Sequence, residues 1–259
     1  MATLLSPNLF DSGVVKSQSR SCLLNLVIFD IDGTLTDTNT VDLDCYYRAL
    51  EDEFHVPRTT KLTIDHDLVT DAGFARASFR NVHGTDPDDA AIRELESKFM
   101  LYIRQSFAAV PSVVREINGA ASLLERLKAD RNWCVAIATG CWLESATFKL
   151  DKARLFDQSL PLATCDDSPK RSEIVSLSHQ RARIRYGQQS FDRIVAVGDR
   201  PWDLHVAKML NHAFIGVESD SVLSTLGAAS VVRDYSDQEG FMKLLYSAVV
   251  PPGIKKAGR

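Results

Sequence analysis

The protein has 259 residues, of which 45% are hydrophobic and 25% are charged, with a formal net charge of −4 at pH 7. This composition is typical of a globular protein with room for one large domain, or one domain with a smaller insert. A small negative charge without clustered Lys and Arg excludes the electrostatic footprint of a nucleic-acid-binding protein.

The chain ends and the cysteines indicate the cellular setting. Residues 1–21 contain no continuous apolar segment and no clear cleavage site, so we expect no secretory signal. We expect this segment and residues 251–259 to be poorly ordered. The chain also has no run close to the ~20 apolar residues of a membrane span. Its five scattered cysteines, without CxxC spacing, favour reduced thiols. We therefore expect a cytoplasmic protein without a membrane partner, as a monomer or homodimer.

Short apolar runs, each followed by a polar turn, predict the strands. They cover residues 23–29, 133–138, 193–197 and 213–217. Such runs, separated by amphipathic stretches, are typical of buried parallel strands in an α/β sheet. Apolar residues at helical spacing predict core helices over residues 119–129, 142–155, 172–186 and 202–210. The predicted fold class is therefore α/β, with a Rossmann-like parallel sheet as its core.

Residues 37–111 have a different pattern. They contain predicted helices and no convincing buried strand. The helices cover residues 43–54, 72–81 and 87–107. Because this stretch begins after the first strand and ends before the sheet resumes, it predicts a helical cap over the strand ends. The core would then comprise residues 22–36 and 112–250.

Two aspartates, Asp30 and Asp32, directly follow the first predicted strand. Residues i and i+2 of an extended chain face the same side, so both carboxylates can point into one site. One could attack phosphorus and form an aspartyl-phosphate, while the other shuttles a proton to the leaving oxygen. Gly33 permits a sharp departure from the strand, and Thr34 offers a hydroxyl that orients Asp30 or binds phosphate. Taken alone, the motif also fits an acidic turn that caps a helix.

The later turns offer groups that bind anions. Thr139 and Gly140 close the second strand, where a hydroxyl and backbone N–H groups form an anion site before a helix. Taken alone, this is more often only a turn. Lys170 and Arg171 precede a predicted helix, and either provides the fixed positive charge that an aspartate nucleophile beside a phosphate needs. The alternative of two solvated surface cations stays open.

Asp199 and Asp203 follow the third predicted strand and are four positions apart. They could face one cavity as the turn becomes a helix. Mg²⁺ prefers carboxylate, carbonyl and water oxygens, which Asp30, the backbone of residues 31–32 and Asp199 could supply. Taken alone, a helix N-cap with an acidic first turn explains this motif better.

In this order, the segments DIDGT, ATG, a Lys/Arg pair before a helix, and GDRPWD resemble the four motifs of haloacid dehalogenase-type phosphatases. The resemblance covers roughly residues 23–235 and puts the family's helical C1 cap at residues 37–111. The third motif departs from the commonest form, a lone Lys followed by Pro. Lys170 and Arg171 both fit it loosely, with Arg171 slightly favoured by its register before the helix.

The resemblance implies a role for each matching residue. Asp30 would be the nucleophile and a ligand of Mg²⁺. Asp32 would be the general acid/base and would contribute its backbone carbonyl to the metal. Thr139 would bind phosphate, Asp199 would ligate the metal, and Asp203 would support a coordinated water. True dehalogenases of this family lack the second aspartate, so Asp32 favours phosphoryl transfer.

The cap is expected to select the substrate, because the core binds only the phosphoryl group. Candidate substrate contacts in the cap are Arg76, Arg80 and His83, and Trp142 is a further candidate from a core turn. Each is equally compatible with a solvated or packing role. The expected activity is Mg²⁺-dependent hydrolysis of a small phosphorylated metabolite.

Three alternatives share parts of this pattern. A phosphomutase of the same superfamily would carry every core motif. A phosphonate hydrolase would need a cap lysine for a Schiff base, and Lys61 and Lys98 lie in no evident site-facing context. A non-catalytic phosphometabolite-binding protein would have no need of Asp30 and Asp32.

Overall fold

The computed structural model describes residues 24–60, 62–218 and 220–252. The expectation for residues 1–21 lies outside these ranges, as does the expectation for the tail beyond Pro252. Within them, the free cysteines are all buried, as expected for reduced thiols; they are Cys45, Cys134, Cys141 and Cys165. No helix in the described ranges has the length and apolarity needed to cross a membrane.

The described residues form one parallel sheet with the strand order β3-β2-β1-β4-β5-β6. The strands are β1 (Asn25–Phe29), β2 (Trp133–Ala138), β3 (Leu162–Ala163), β4 (Ile194–Gly198), β5 (Ala213–Val217) and β6 (Val231–Val232). The predicted parallel α/β sheet is confirmed. The edge strands β3 and β6 were not predicted, because each has two residues and leaves no apolar run to detect.

Side chains of β1 alternate between two hydrophobic layers. Leu26 and Ile28 belong to one layer, and Val27 and Phe29 belong to the other. All four are at most 2% exposed. A parallel sheet has helices on both faces, so its strands are apolar at every position rather than alternately. This explains why the strands appear in the sequence as continuous apolar runs.

Helices connect the strands and cover both faces of the sheet. They are α4 (Ala120–Ala129), α5 (Leu143–Lys152), α6 (Arg171–Tyr186), α7 (Pro201–Met209), α8 (Val222–Thr225) and α9 (Gln238–Ser247). Three leucines of α4, at positions 123, 124 and 127, pack at helical spacing in the layer with β1. Helix α5 ends three residues before the predicted boundary, and Arg154 beyond it has a left-handed φ of 61°.

Between β1 and α4 the described chain is helical, as predicted. This insert (residues 37–111) contains α1 (Asn39–Phe54), α2 (Asp71–His83) and α3 (Asp89–Ala109), with a one-turn 3-10 helix at His66–Leu68. A second one-turn 3-10 helix, Pro111–Val113, begins at its last residue. Thr70 accepts a hydrogen bond from the Gly73 N–H and so caps α2, and Asp88 caps α3 in the same way. The division of the chain into separate core and cap domains stays a prediction.

The insert contacts the core at the carboxyl ends of the strands. The backbone N–H of Asp71 donates to the carbonyl of Gly140, which follows β2, at 2.8 Å. Asp67 accepts a hydrogen bond from the Ser172 N–H at the start of α6, at 2.7 Å. In open parallel sheets, ligands bind at this edge. The insert therefore lies over the edge where a ligand site is expected.

Candidate active site

Three carboxylates meet at the centre of this edge. Asp30 follows β1, Asp199 follows β4, and Asp203 lies in the first turn of α7. One oxygen from each lies within 4.8 Å of the others. The strands β1 and β4 are neighbours in the sheet, and the Asp30 N–H donates to the Val197 carbonyl at 3.0 Å. The sheet order therefore brings together two motifs that are 169 positions apart in the sequence.

These carboxylates have the character of a cation site. Oδ1 of Asp30 and Oδ1 of Asp199 are buried without a hydrogen-bond partner among the described residues. Burial raises the pKa of both Asp30 and Asp199 to about 7, and neighbouring carboxylates add to the effect. Buried charges without partners are costly, so such a cluster is stable as carboxylates only beside a cation. An all-oxygen donor set fits a hard ion such as Mg²⁺.

Gly33 allows the turn after β1 to approach this cluster closely. Its φ of +73° is left-handed, and a Cβ at this position would collide with the side chains of Asn39 and Asp199. Asn39, the first residue of α1, donates a hydrogen bond from Nδ2 to Oδ2 of Asp199 at 2.8 Å. Asn39 was not predicted as a site residue, because a polar residue at a helix start is an ordinary feature of sequences.

Of the two candidate cations, Arg171 reaches the carboxylates. Its guanidinium donates to Oδ1 of Asp203 at 2.9 Å and to the backbone carbonyl of Val69 in the insert. Its side chain is 13% exposed. The Lys170 side chain is 51% exposed and pairs with Glu173 at 3.2 Å. Adjacent residues of a helix point about 100° apart, so only one can face the site.

The carboxylate of Asp32 lies apart from the cluster of three and is held by the protein at both oxygens. Thr38 donates to Oδ1. Lys149 donates to Oδ2 at 2.5 Å, and the Cys141 thiol donates to the same oxygen at 2.8 Å. Burial by itself raises the pKa of Asp32, but the Lys149 ammonium and these hydrogen bonds outweigh it and lower the pKa. Asp32 is therefore held here as a carboxylate.

Lys149 was not predicted as part of the site. It is fully buried on α5, next to the buried Leu150 and three positions after the buried Ala146. The sequence contained one signal for this role, because Lys149 lies on the apolar side of an amphipathic helix. A lysine that is buried there requires a carboxylate partner. The sequence alone could not name that partner.

A cavity of about 600 Å³ lies between the strand ends and the insert. Thr139 and Gly140 line it, as predicted. A Cβ on Gly140 would lie 2.7 Å from an Arg171 guanidinium nitrogen, so glycine permits the close approach of this arginine. The charged residues of the described lining are Asp30, Asp32, Asp42, Asp71, Asp199, Arg171 and Arg200. The apolar and aromatic side chains come mostly from the insert, with Cys141, Pro201 and Trp202 from the core; those of the insert are Leu43, Tyr46, Tyr47, Leu62, Ile64, Val69 and Phe74.

The candidate cap contacts lie outside the described cavity lining, so a substrate-binding role for them stays a prediction. Arg76 pairs with Asp89, and Arg80 pairs with Asp86, so both point toward the connection between α2 and α3. The His83 imidazole lies 2.7 Å from the Phe54 carbonyl. All three residues have their partners within the insert. None of them is among the described residues that line the cavity.

Trp142 and Thr34 are also absent from the described cavity lining. Trp142 is 2% exposed and packs against Tyr46 and Phe99 of the insert, with ring centroids 5.9 Å and 5.8 Å away. Thr34 is fully buried, and its hydroxyl has no partner among the described residues. Trp142 therefore joins the insert to the core by packing, which differs from the expected substrate contact.

Comparisons with known proteins agree with this architecture. A hydrolase from Pseudomonas syringae is 22% identical, with a TM-score of 0.64 over 84% of this chain and 97% of its own. A candidate β-phosphoglucomutase from Bacteroides vulgatus is 17% identical, with a TM-score of 0.60 over 89% and 92% of the two chains. A predicted phosphoglycolate phosphatase from Haemophilus somnus is 17% identical, with a TM-score of 0.53 over 85% and 98%.

At these identities the likeness is one of fold. No curated protein matches the chain significantly. The family model for haloacid dehalogenase-like hydrolases matches residues 24–211, which include all the motifs of the site. The chain belongs to the haloacid dehalogenase-like hydrolase family.

Proposed function

We propose that this protein is a Mg²⁺-dependent phosphatase that hydrolyses a small phosphorylated metabolite through an aspartyl-phosphate on Asp30. The observation that carries the proposal is the position of Asp30. Its unpartnered, buried oxygen lies in the carboxylate cluster at the cavity, next to the Arg171–Asp203 pair. A carboxylate so placed is a nucleophile with a cationic partner nearby for a phosphate.

The residues of the site divide the reaction between them. Arg171 and the Thr139 hydroxyl hold the phosphoryl oxygens. Asp30 attacks phosphorus as the bond to the leaving oxygen breaks. Asp32, a carboxylate before the reaction, first takes up a proton, for example from the monoprotonated phosphate ester, and then passes it to the leaving oxygen. Water then attacks the aspartyl-phosphate and gives a proton back to Asp32, which releases inorganic phosphate and regenerates Asp30.

Asp30 and Asp199 would hold Mg²⁺, with Asp203 beside it and the backbone carbonyl of Asp32 as a further oxygen. When bound, the ion would neutralise charge that develops on the phosphoryl oxygens. The support for this assignment is the cluster of three carboxylates and the two buried oxygens that have no partner among the described residues.

The cavity lining favours a leaving group without a second negative charge. Five carboxylates and two arginines line its described part. Both arginines are paired, Arg171 with Asp203 at 2.9 Å and Arg200 with Asp199 at 3.0 Å. A second phosphate or a carboxylate on the substrate would therefore meet repulsion that no unpaired arginine of the described lining offsets. This disfavours the phosphomutase alternative for sugar phosphates, because that reaction passes through a bisphosphate.

A matched set of small phosphate esters tests the substrate class. We expect 2-aminoethyl phosphate and 2-hydroxyethyl phosphate to be hydrolysed with kcat/KM at least tenfold above carboxymethyl phosphate. The three differ mainly in the charge of the terminal group. A preference for carboxymethyl phosphate would contradict the proposal.

The phosphatase activity itself is tested with p-nitrophenyl phosphate. We expect inorganic phosphate to be released in the presence of Mg²⁺ and release to stop in excess chelator. Turnover that continues undiminished in chelator would refute the metal dependence. A folded protein that binds phosphate esters but turns none over would instead support the non-catalytic alternative.

A further inference from the structure

Lys149 is a charged side chain with no exposure to solvent. Its ammonium lies 2.5 Å from Oδ2 of Asp32 and 2.6 Å from Oδ1 of Asp42. The third neighbour is the Cys141 sulfur at 3.2 Å. A buried ammonium has three N–H donors and is stable only when they are satisfied by acceptors. Lys149 therefore bridges two carboxylates from different parts of the fold.

One of these carboxylates belongs to the insert. Asp42 lies in the first turn of α1, and Thr38 is the residue that precedes this helix. Thr38 donates directly to Oδ1 of Asp32, while Asp42 reaches Oδ2 of Asp32 through Lys149. The start of α1 thus holds the Asp32 carboxylate at both oxygens.

Lys149 itself is absent from the described cavity lining, whereas Asp32 and Asp42 are part of it. Any effect of Lys149 on the reaction must therefore pass through its neighbours in the lining, which are these two carboxylates and the Cys141 thiol. Since a carboxylate that transfers a proton must reach the leaving oxygen within hydrogen-bond distance, the group that orients it controls the transfer.

We propose that Lys149 is a positioning residue, which orients Asp32 for proton transfer and, through Asp42, ties that orientation to helix α1 of the insert. This inference rests on the proposed phosphatase function. It assigns to α5 a role in catalysis that the four motifs do not include. The bridge makes the placement of the general acid dependent on the placement of the insert.

Substrates with different leaving groups distinguish positioning from a merely structural role. A leaving group of low pKa, such as p-nitrophenolate, needs little protonation, whereas an alkoxide needs a proton. If Lys149 only stabilised the structure, its substitution would lower the rate of hydrolysis of both substrates alike. General acid catalysis typically contributes ~10²–10⁴-fold, so a misplaced acid is visible on the alkyl ester.

The experiment compares kcat/KM for ethyl phosphate and p-nitrophenyl phosphate in Lys149→Met, a substitution of similar length without the charge. We expect the loss on ethyl phosphate to exceed the loss on p-nitrophenyl phosphate at least tenfold. Asp32→Asn should show the same selectivity, and the double variant should lose no more than Asp32→Asn alone. Lys152→Met, on the same helix but partly exposed and paired with Asp151, should leave both values unchanged.

Two results would overturn the inference: equal losses on both esters in Lys149→Met, or additive losses in the double variant. If Lys149→Met does not fold, Asp42→Leu decides, since leucine has a similar shape and cannot accept the Lys149 hydrogen bond. We expect Asp42→Leu to lose activity selectively on ethyl phosphate, and unchanged activity on both esters would overturn the bridge. A wild-type protein inactive on every ester would refute the proposed function instead.

Discussion

The guanidinium of Arg171 lies 2.9 Å from the carboxylate of Asp203, so the start of α6 is joined to the first turn of α7 within the site. The two residues are 32 positions apart in the sequence. Both are at most 13% exposed. This ion pair fixes a positive charge near Asp30, where the proposed mechanism requires one for the phosphate.

We predict that Arg171→Ala lowers kcat/KM for p-nitrophenyl phosphate by about one to two decades, because a charge-assisted contact contributes roughly 1.5–3 kcal/mol. Lys170→Ala is the matched control and should be nearly silent, since an exposed ion pair contributes little. Steady-state kinetics on the two variants measures both effects. If neither variant lowered kcat/KM, the phosphate would have to be held by another cation.

We predict that Asp30→Asn abolishes turnover without lowering the melting temperature. Asp30 is a buried carboxyl whose pKa is raised to about 7 by burial and by Asp203. A neutral amide of the same shape removes this unfavourable charge, so the fold should be as stable or more stable. Phosphate release and thermal unfolding are measured together. The matched control is Asp37→Asn, an exposed carboxylate paired with Arg115, which should keep full activity. A folded Asp30→Asn with more than trace activity would contradict the nucleophile assignment.

Mg²⁺ is expected to stabilise the fold without any substrate present. A ligand at one hundred times its Kd raises the free energy of unfolding by about 2.7 kcal/mol. Thermal unfolding with and without Mg²⁺ should therefore show a higher melting temperature for the wild type and little shift for Asp199→Asn. The Asp37→Asn control should shift like the wild type. An equal shift in all three proteins would place the ion elsewhere.

Trp142→Ala should destabilise the protein and leave substrate preference unchanged. The indole is buried between the insert and the core, stacked on Tyr46. Truncating a buried aromatic residue to Ala typically costs about 3–5 kcal/mol. Chemical denaturation measures this loss, and the ratio of kcat/KM for the three matched esters tests preference. If the ratio of kcat/KM values changed while the free energy of unfolding did not, Trp142 would be a substrate contact after all.

Acid should destabilise the fold partly through His212. Its imidazole is buried, and burial, with the nearby His179 adding, lowers its pKa from 6.5 to about 4. Between these pH values the unfolded chain binds the proton and the folded chain does not. This contribution to stability is therefore present above about pH 6.5 and is lost as the pH falls toward 4.

The full contribution of His212 to the free energy of unfolding is about 3 kcal/mol, since each unit of pKa difference corresponds to about 1.36 kcal/mol. Denaturation at several pH values should show a shallower loss of stability for His212→Gln than for the wild type over this window. Parallel curves would show that His212 does not carry the effect.

The sequence by itself determined the parallel sheet and the convergence of its motifs. Buried parallel strands are continuous apolar runs, and their carboxyl ends share one edge. Asp30, Thr139 and Asp199 each follow such a run, so their meeting could be predicted without coordinates. The helical character of residues 37–111 was also readable from the spacing of apolar residues.

Only the tertiary structure decided which side chains of the helices and turns face that edge. Arg171 rather than Lys170 reaches Asp203 because the rotation of α6 against the sheet is set by packing over its whole length. Arg76 pairs with Asp89 within the insert at 2.7 Å, a partner that the sequence did not identify. In the sequence, Lys149 is 117 positions from Asp32 and 107 positions from Asp42. No local pattern encodes such distant pairings. A buried charge is recognisable from its helix face, but its partners are decided only when the insert and the core pack together.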